Sequence, residues 1–394
     1  MKGDGVVIVG GGLASQRCAE TLRTRGYAGR IAMVCGEAEL PYDRPPLSKR
    51  LLAGELADSE IGFRPARWYA DQQIELIFRR ATGLNTKRRR VRLDDGSELP
   101  CDDLVIATGS APRVLPQLVG YSNVHYLRTI GDARRLRPEL RKGVRLSVVG
   151  AGFIGQEVAS TARRVGAEVT ILEALPVPLG AVLGEEIGRS LMKMHVDEGV
   201  DVRLSTRVDG ARGNGAVEEL RLSDGGTLAS DAVVVGIGVA PDSGWLNGSG
   251  LGTDSVVTDG AGRTRIPHVF AAGDVANRFD HRLGGHRRSE HWDAAARQGA
   301  AVARTVLGES PGPESLPTFW SDQYGARIQY VGHADLADEI TVEGKPADRR
   351  FAVVYTRRGR PVGALTVDEP RAFARLRREI ERTYTLESSE KESR

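Results

Sequence analysis

Residues 6–15 read VVIVGGGLAS, and residues 146–155 read LSVVGAGFIG. In both stretches a short apolar run ends in closely spaced glycines, and apolar positions at helical spacing follow, to about Arg25 and Val165. This order predicts a strand, a tight turn and a helix. Residues 31–34 are again apolar, and residues 168–172 read EVTIL; each stretch predicts the next strand of its motif. The chain therefore contains the same βαβ motif twice, with parallel strands and right-handed crossovers.

The glycines at the end of each first strand predict a phosphate site. A residue without a side chain lets a pyrophosphate approach the amides at a helix N-terminus, where the helix dipole favours negative charge. The predicted contacts are Gly10, Gly12, Leu13, Ala14 and Ser15 in the first copy, and Gly150, Gly152, Phe153, Ile154 and Gly155 in the second. Ser15 occupies the third small position, where its size still allows a helix and a strand to pack closely. Tight turns without a ligand are the alternative for either copy taken alone.

An acidic residue follows the second strand of each motif, Glu37 in the first and Glu173 in the second. A carboxylate at that position accepts hydrogen bonds from ribose hydroxyls. At Glu173 it suits the free 2′-hydroxyl of NAD and repels the 2′-phosphate of NADP. Ala174 and Leu175 follow, so no arginine stands directly after Glu173 to bind that phosphate. The second copy is therefore predicted to use NADH.

Length and composition exclude several classes of protein. The 394 residues predict two or three domains, and 40% hydrophobic with 27% charged residues is typical of globular cores. A net charge of +3 is too small to indicate a nucleic-acid partner. No apolar stretch approaches the roughly 20 residues of a membrane-spanning helix. The N-terminus, Met1 to Asp4, lacks the pattern of a signal peptide, so the expected location is the cytoplasm.

The three cysteines, Cys18, Cys35 and Cys101, are far apart in the sequence. No CxxC or CxxxxC pair occurs, so neither a redox-active disulfide nor a metal site is predicted. We expect all three to be small buried hydrophobic side chains.

The remaining patterns predict further strands and a different C-terminal region. Apolar runs at 104–107 and 232–235 each follow a hairpin turn signal, at 94–96 and 223–226. From about residue 316 the sequence is rich in strand patterns, including 351–355 and 362–367, and a basic amphipathic helix is predicted over 371–382. The last ten residues are polar and charged, which predicts a frayed tail.

Several separated segments resemble one family of flavoproteins. Residues 264–274, TRIPHVFAAGD, and Ala107-Thr108-Gly109 resemble motifs of reductases with two dinucleotide sites. Residues 41–49, PYDRPPLSK, resemble the YDRPPLSK stretch of ferredoxin reductases that serve Rieske oxygenases and bacterial cytochromes P450. The segments Glu290-His291-Trp292 and 319–323, FWSDQ, agree with that family. The resemblance runs from Val6 to about Arg378.

The resemblance implies an α/β fold of the glutathione-reductase type. Two Rossmann-like dinucleotide-binding domains are expected, the second inserted in the first, with a small C-terminal α+β domain. The implied boundaries are 1–111 and 241–316 for the FAD-binding domain, 112–240 for the NADH-binding domain, and 317–394 for the C-terminal domain with its disordered tail. FAD and NADH are the implied cofactors, FAD in the first copy and NADH in the second.

The resemblance also implies roles for single residues. Lys49 would lie beside the flavin, where its charge stabilises the negative charge left by hydride transfer, and Glu157 would be its ion-pair partner. Asp274 would bind the ribityl chain, and Arg128 the pyrophosphate. The other implied FAD contacts are Glu37, Arg44, Pro45, Ala81, Ala107, Thr108, Gly109, Gly273, Glu290, His291, Trp292 and Trp320. The other implied NADH contacts are Glu157, Glu173, Gly236, Ile237 and Gly238. Core packing is the alternative for both tryptophans.

The segment 41–49 has no cysteine, whereas disulfide, peroxide and CoA-disulfide reductases of this superfamily carry one or two there. The hydride would therefore leave the flavin as single electrons to an external acceptor, expected to be an acidic [2Fe–2S] ferredoxin or a rubredoxin. Basic runs at 349–350, 357–358, 371–378 and 87–90 suit an acidic partner, although each run alone is typical of a solvated surface. A monomer or weak dimer is expected. The alternatives are a monodehydroascorbate-type reductase, a rubredoxin reductase and an NADH-sensing flavoprotein.

Overall fold

The computed structural model describes residues 3–313 and 316–392. Within them the α-helices, α1 to α8, are Leu13–Thr24, Ala66–Asp71, Ile130–Leu136, Phe153–Arg164, Gly180–Leu183, Glu185–Asp197, Trp292–Val306 and Pro370–Glu392. The strands β1 to β13 are Val6–Val9, Ile31–Val34, Ile74–Ile77, Ala81–Asn85, Arg90–Leu93, Glu98–Pro100, Asp103–Ile106, Ser110–Pro112, Val124–His125, Arg145–Val149, Glu168–Leu172, Asp201–Arg203 and Val208–Arg212. The strands β14 to β26 are Glu219–Leu222, Thr227–Ala229, Ala232–Val235, Val239–Pro241, Val256–Thr258, Val269–Ala271, Ala276–Asp280, Gly285–Arg288, Thr318–Gln323, Ala326–Gly332, Glu339–Lys345, Arg350–Arg357 and Arg360–Val367.

The chain forms two compact units, each built from three separate segments. The first unit comprises Met1–Asp43, Ile61–Ala111 and Ala240–Pro317. The second unit comprises Arg44–Glu60, Pro112–Val239 and Thr318–Arg394. The short segment Arg44–Glu60, which carries Lys49, thus belongs to the same unit as the second glycine-rich motif. The domain boundaries implied by the family resemblance stay a prediction.

The first unit is built on a parallel sheet with the strand order β19-β7-β1-β2-β3. All four side chains of the central strand β1 are buried, with 2% exposure or less. Because side chains alternate across a strand, Val6 and Ile8 enter one apolar core while Val7 and Val9 enter the other. Each such buried side chain contributes about 1.5–3 kcal/mol to folding. Two smaller sheets, β4-β5-β6 and β18-β20-β21, complete this unit.

The second unit repeats this design. Its parallel sheet has the order β12-β11-β10-β16-β9, with β10 central and α4 packed against β10 and β11. The predicted strand at 168–172 has the bounds expected from the sequence. One edge strand differs in origin: β9 precedes β10 in the chain, whereas β19 of the first unit comes after all its neighbours. The predicted duplication of the βαβ motif is confirmed, as is the α/β fold class.

The C-terminal part of the second unit is an antiparallel sheet, β22-β23-β26-β25-β24, and α8 packs on it. The predicted helix over 371–382 is longer in the structure, because α8 runs from Pro370 to Glu392. The frayed tail over the last ten residues stays a prediction, and residues 393–394 lie outside the described residues. Residues 385–392 include three glutamates, a leucine and a lysine, whose high helix propensities favour this extension.

The three cysteines are buried and free of disulfides. Burial raises the pKa of Cys18 and of Cys35 to about 12 and that of Cys101 to about 11. These thiols thus remain protonated at neutral pH and behave as apolar side chains. None of the helices among residues 3–313 and 316–392 is both long and apolar enough to cross a bilayer.

Candidate functional site

The first glycine-rich loop joins β1 to α1. Gly10 has a φ of +136°, and a Cβ there would lie 2.1 Å from the carbonyl oxygen of Ala107, so this position requires glycine. Gly12 is different: its φ of −89° and ψ of −173° suit any residue. A Cβ at Gly12 would meet no atom within 4 Å. Neither the backbone nor the packing of the protein explains a glycine at position 12, so the space beside it is available to a ligand.

The N-terminus of α1, directly after Gly12, has the properties of an anion site. Gly12 caps the helix without a side-chain hydrogen bond, and no acidic residue occupies the first turn. The first amides of the helix therefore lack intrahelical acceptors, and the helix dipole is not offset by a carboxylate. The buried Ser15 hydroxyl has no hydrogen-bond partner among the described residues. These features fit the pyrophosphate of a dinucleotide.

The second glycine-rich loop joins β10 to α4 and repeats the arrangement. Gly150 has a φ of +100°, and a Cβ there would lie 2.5 Å from the carbonyl oxygen of Gly236. At Gly155 a Cβ would lie 2.2 Å from the carbonyl oxygen of Gly150, so only glycine lets the start of α4 pack this closely against the loop. Gly152 has an ordinary φ of −70°, and its nearest neighbour would be 3.9 Å away. This helix N-terminus is also left open by a glycine that the protein itself does not require.

The surroundings of the second loop suit a nucleotide. The side chains of Ile154 and Ile237 are 48% and 37% exposed, which offers apolar surface next to the open helix N-terminus. The backbone amide of Ala151 donates to one oxygen of Glu173 at 2.7 Å, and that of Leu175 donates to the other at 2.9 Å. A carboxylate can accept about four hydrogen bonds, so Glu173 keeps the capacity to accept from ribose hydroxyls.

In the first unit, Glu37 accepts a hydrogen bond from the Tyr42 hydroxyl at 2.5 Å. The indole Nε1–H of Trp292 donates to Asp43 Oδ1 at 2.6 Å, which fixes the end of the segment 37–43. Glu290 forms an ion pair with Arg288 at 2.6 Å, on the strand β21 that precedes α7.

Gly273 and Asp274 lie near the first loop. A Cβ at Gly273 would lie 3.2 Å from the Cβ of Ala14, in the first turn of α1. Asp274 is 9% exposed, and the Ser110 hydroxyl donates to its Oδ2 at 2.7 Å. The pKa of His291 is lowered by burial, while the charge of Asp274 acts in the opposite direction. The structure thus brings the 273–274 segment to the start of α1, as the motif implied.

The segment Ala107-Thr108-Gly109 directly follows β7 and contacts Asp242, which lies in the third segment of the first unit. The Ala107 carbonyl borders Gly10, the Thr108 hydroxyl donates to the carbonyl oxygen of Asp242 at 2.5 Å, and the Gly109 carbonyl accepts from the Asp242 amide at 3.0 Å. Ala81 begins β4, and its side chain is buried in an apolar core of the first unit.

The second unit contains a buried ion pair. Lys49 Nζ lies 2.7 Å from Glu157 Oε2, and the two side chains are 14% and 3% exposed. The Ser48 hydroxyl donates to the same oxygen at 2.5 Å, and the Ser321 hydroxyl donates to Oε1 at 2.7 Å. Lys49 Nζ also donates to the carbonyl oxygen of Pro45 at 3.3 Å. The ion pair expected from the sequence is present, and two serines that the sequence did not single out complete the coordination of the carboxylate.

Arg44, Arg128, Gly238 and Trp320 are the remaining predicted contact residues that belong to the second unit. Arg44 donates to the carbonyl oxygen of Arg128 at 2.5 Å, so the two arginines are neighbours. The Gly238 carbonyl accepts from the Arg113 amide at 2.9 Å. Trp320 is half-buried on β22, and the guanidinium of Arg327 lies 5.7 Å from its ring centroid.

Gly299 is a structural residue of the first unit that sequence reasoning missed. A Cβ there would lie 2.2 Å from the carbonyl oxygen of Ala14, so this glycine allows α7 to cross α1 closely. Gln298, also on α7, accepts a hydrogen bond from the Gly273 amide at 2.9 Å. A glycine within the alanine-rich stretch 294–301 of an amphipathic helix was the signal for this crossing.

Two parallel sheets, each with a helix N-terminus left open by a glycine, define an oxidoreductase that holds two dinucleotides. The chain matches the family described as pyridine nucleotide-disulphide oxidoreductase over residues 4–299, and the family described as reductase C-terminal over residues 318–391. The chain belongs to the pyridine nucleotide-disulphide oxidoreductase family.

Among curated proteins, the chain is 39% identical to the ferredoxin--NAD(+) reductase component of the anthranilate 1,2-dioxygenase system of Burkholderia cepacia, covering 96% of this chain and 95% of that protein. It is 35% identical to putidaredoxin reductase of Pseudomonas putida, covering 94% and 90%. Among solved structures, the covalent putidaredoxin reductase–putidaredoxin complex matches with a TM-score of 0.93 and 34% identity, covering 95% of this chain and 92% of that chain. At the level of this family, the prediction of an FAD- and NADH-dependent ferredoxin reductase is confirmed.

Proposed function

We propose that the chain transfers electrons from NADH through bound FAD to a [2Fe–2S] ferredoxin of an oxygenase or cytochrome P450 system. The overall reaction converts one NADH and two oxidised ferredoxins into NAD⁺, one proton and two reduced ferredoxins. The observation that carries the proposal is the pair of helix N-termini left open at Gly12 and Gly152. The similarity to ferredoxin reductases of oxygenase systems supports the choice of acceptor.

The first loop is proposed to bind FAD. The amides after Gly12 would hold the pyrophosphate, Glu37 the adenosine ribose, and Asp274 the ribityl chain. Ser110 keeps the Asp274 carboxylate oriented by its hydrogen bond at 2.7 Å. When bound, FAD supplies the chemistry, because it accepts a hydride and returns two single electrons.

The second loop is proposed to bind NADH. Gly152 leaves the α4 amides open to the pyrophosphate, and Glu173 would accept from the ribose 2′-hydroxyl. Because Ala151 and Leu175 hold both carboxylate oxygens, Glu173 has a fixed position beside the loop. A fixed negative charge disfavours the 2′-phosphate of NADPH.

Lys49 is proposed as the catalytic residue that stabilises negative charge on the flavin. A partly buried ammonium acts strongly, since water screens it little. Glu157 and the Pro45 carbonyl fix the direction of the Lys49 side chain. The segment 41–49 contains no cysteine, so the chain offers no thiol there to receive electrons from the flavin.

The ferredoxin partner is proposed to be acidic and to approach the C-terminal sheet. Many arginines of the basic runs are neutralised by neighbours: Arg349 pairs with Glu198, and Arg350 with Glu369. At the exposed turn between β25 and β26, the guanidinium groups of Arg357 and Arg358 form no ion pair among the described residues, and the Asp338 carboxylate accepts from the Arg358 backbone amide at 3.0 Å. The two guanidinium groups and the one carboxylate leave a net positive charge at this turn, which speeds the approach of an acidic partner.

The reaction itself is tested by anaerobic mixing. The purified holoprotein is mixed with NADH, an oxidised [2Fe–2S] ferredoxin is added, and flavin and cluster absorbance are followed. We expect rapid flavin bleaching by NADH, slow bleaching by NADPH and fast ferredoxin reduction. Flavin reduction without transfer to any of several carriers would refute the proposal and favour a radical-reducing or NADH-sensing protein. Preferential reduction of rubredoxin would identify a rubredoxin reductase.

The docking proposal is tested by charge removal. The double variant R357S/R358S should slow ferredoxin reduction several-fold at low salt and leave ferricyanide reduction unchanged. A matched variant, K87S/R88S, removes the same charge from the basic run at 87–90. If K87S/R88S slows ferredoxin reduction and R357S/R358S does not, the docking surface is elsewhere. The expectation of a monomer or weak dimer stays a prediction that sedimentation can test.

A further inference from the structure

A chain of buried polar side chains begins at Glu157 and leads away from Lys49. The Ser321 hydroxyl donates to Glu157 Oε1 at 2.7 Å, and the Gln323 side-chain amide donates to Ser321 Oγ at 3.1 Å. Gln323 Oε1 lies 3.2 Å from His195 Nε2, and His195 Nδ1 lies 2.6 Å from the Tyr324 hydroxyl. Ser321, Gln323 and His195 are at most 1% exposed. Ser321 and Gln323 lie in the segment 319–323 that agrees with the ferredoxin reductase family, but the resemblance implied no role for any of these four residues.

The hydrogen bonds in this chain of side chains all run in one direction, because the chain ends at the Glu157 carboxylate. A carboxylate only accepts, so the Ser321 hydroxyl must donate to it and can only accept from Gln323. Gln323 then presents its NH₂ to Ser321 and its carbonyl to His195, which must carry its proton on Nε2. His195 Nδ1 is consequently an acceptor for the Tyr324 hydroxyl. Every donor therefore points toward Glu157.

The far end of the chain is held in a costly backbone conformation. Tyr324 and Gly325 form the two-residue turn between β22 and β23, with φ of +52° and +81°. A type I′ turn favours Asn or Gly at its first position, and a tyrosine is disfavoured there. A strained residue of this kind persists where the surrounding structure requires it. Here the turn delivers the tyrosine hydroxyl to His195.

Helix α4 connects the two ends of the chain. It carries Glu157, and one turn later Ser160, whose hydroxyl accepts from the Tyr324 amide at 2.8 Å. The next residue, Thr161, donates to the carbonyl oxygen of Ser48 at 2.8 Å. One face of α4 thus holds the carboxylate, the turn with Tyr324 and the segment with Lys49 in a fixed relation.

The chain cannot conduct protons, because the amide of Gln323 interrupts it. Its effect is electrostatic: aligned donors polarise one another and stabilise the charge of Glu157. We propose that Ser321, Gln323, His195 and Tyr324 are positioning residues. They weaken the electrostatic attraction of Glu157 for Lys49 and thereby raise the flavin's affinity for electrons. This inference rests on the proposed function of Lys49. Burial lowers the pKa of His195 to about 4, which agrees with a neutral ring.

The inference is tested with Q323L, which breaks the chain in the middle, and Y324F, which removes only the outermost donor. The flavin midpoint potential and the rate of flavin reduction by NADH are measured for each holoprotein. For Q323L we expect roughly a tenfold loss in the equilibrium constant for reduction by NADH, the factor typical of a weakened bond to a charged group. For a two-electron couple this is a potential about 30 mV more negative. Y324F should shift the potential in the same direction by a smaller amount.

The matched control is Y355F. Tyr355 is fully buried in the same C-terminal sheet, and its hydroxyl donates to the carbonyl oxygen of Leu183 at 2.8 Å, outside the chain. Y355F loses a buried hydrogen bond, as Y324F does, so it should lower stability without changing the potential. Potentials of Q323L and Y324F that equal those of wild type and Y355F would overturn the inference.

A second measurement does not depend on electron transfer. With ¹⁵N-labelled histidine, the nitrogen spectrum at pH 6 reports the protonation of His195, whose signal is identified by its loss in H195Q. The chain requires a neutral ring with the proton on Nε2, and an Nδ1–H tautomer or an imidazolium would overturn it. If NADH fails to reduce the wild-type flavin, the proposed function is lost, whereas this spectrum still decides whether the chain exists.

Discussion

Replacing Gly12 with alanine tests whether glycine is required at this position by FAD binding or by the fold. The φ of −89° and ψ of −173° at Gly12 suit alanine, and the new methyl group would meet no atom within 4 Å. The only expected cost to the apoprotein is the small difference between glycine and alanine at an N-cap, about 1 kcal/mol or less. The methyl group would, however, project into the open space before the first amides of α1.

The expected loss of FAD affinity follows from the hydrogen bonds that this space allows. If the methyl group prevents one amide from reaching the pyrophosphate, the loss is about 1.5–3 kcal/mol, since the acceptor is charged. That corresponds to a roughly 10- to 150-fold increase in the Kd for FAD. The measurement is a titration of the apoprotein with FAD, followed by flavin fluorescence, with the free energy of unfolding measured in parallel.

Two further glycine variants make the result interpretable. G152A changes the equivalent position of the second loop, so it should keep FAD and weaken NADH by a similar factor. G10A should destabilise the apoprotein itself, because its methyl group would lie 2.1 Å from the Ala107 carbonyl oxygen. An unchanged FAD affinity in G12A would refute the assignment of FAD to the first loop. A loss of FAD binding in G152A would show that the second loop binds FAD and the first binds NADH.

Three other changes have defined outcomes. E173Q removes the charge that repels a 2′-phosphate, so the NADPH-to-NADH ratio of kcat/KM should rise about tenfold, and an unchanged ratio would contradict the role of Glu173. W292F loses the indole hydrogen bond of 2.6 Å, and the free energy of unfolding in urea should fall by about 1–3 kcal/mol, whereas a change below about 0.5 kcal/mol would show that the bond contributes little. His195 has a pKa of about 4 in the folded protein, below its ordinary value, so the unfolded state binds a proton first as the pH falls. The free energy of unfolding should therefore decline by about 3 kcal/mol from pH 6.5 to 4, and H195Q should lack that part of the decline.

The parts of the fold that could be predicted depend on local patterns. The strand 168–172, with the sequence EVTIL, was predicted with its correct bounds. The spacing of the glycines predicted both strand-to-helix junctions. Helix α8 was predicted too short because the sequence 385–392 has a single apolar residue, Leu386, and so lacks the apolar stripe that indicates a helix.

The candidate site was predictable only where a motif names a residue. Lys49 came from a family stretch and Glu157 from its position two residues past the second glycine motif, and their ion pair is present in the structure. Ser321 lies in the segment 319–323, but its contact with Glu157 could not be predicted, because the two residues are 164 positions apart in the sequence. His195 lies in no motif. Their relation exists only once the antiparallel sheet, α4 and α6 pack together.

The different origin of the two edge strands has a consequence for synthesis on the ribosome. All five strands of the second parallel sheet lie between Val124 and Val235, so that sheet is complete once this continuous stretch has emerged. The first sheet, although it begins at Val6, lacks its edge until β19 emerges at Val269–Ala271. Until then β7 presents an unpaired edge that can pair with other chains. We therefore expect the second parallel sheet to form before the first one. Nascent chains that stall before residue 269 should be prone to aggregation.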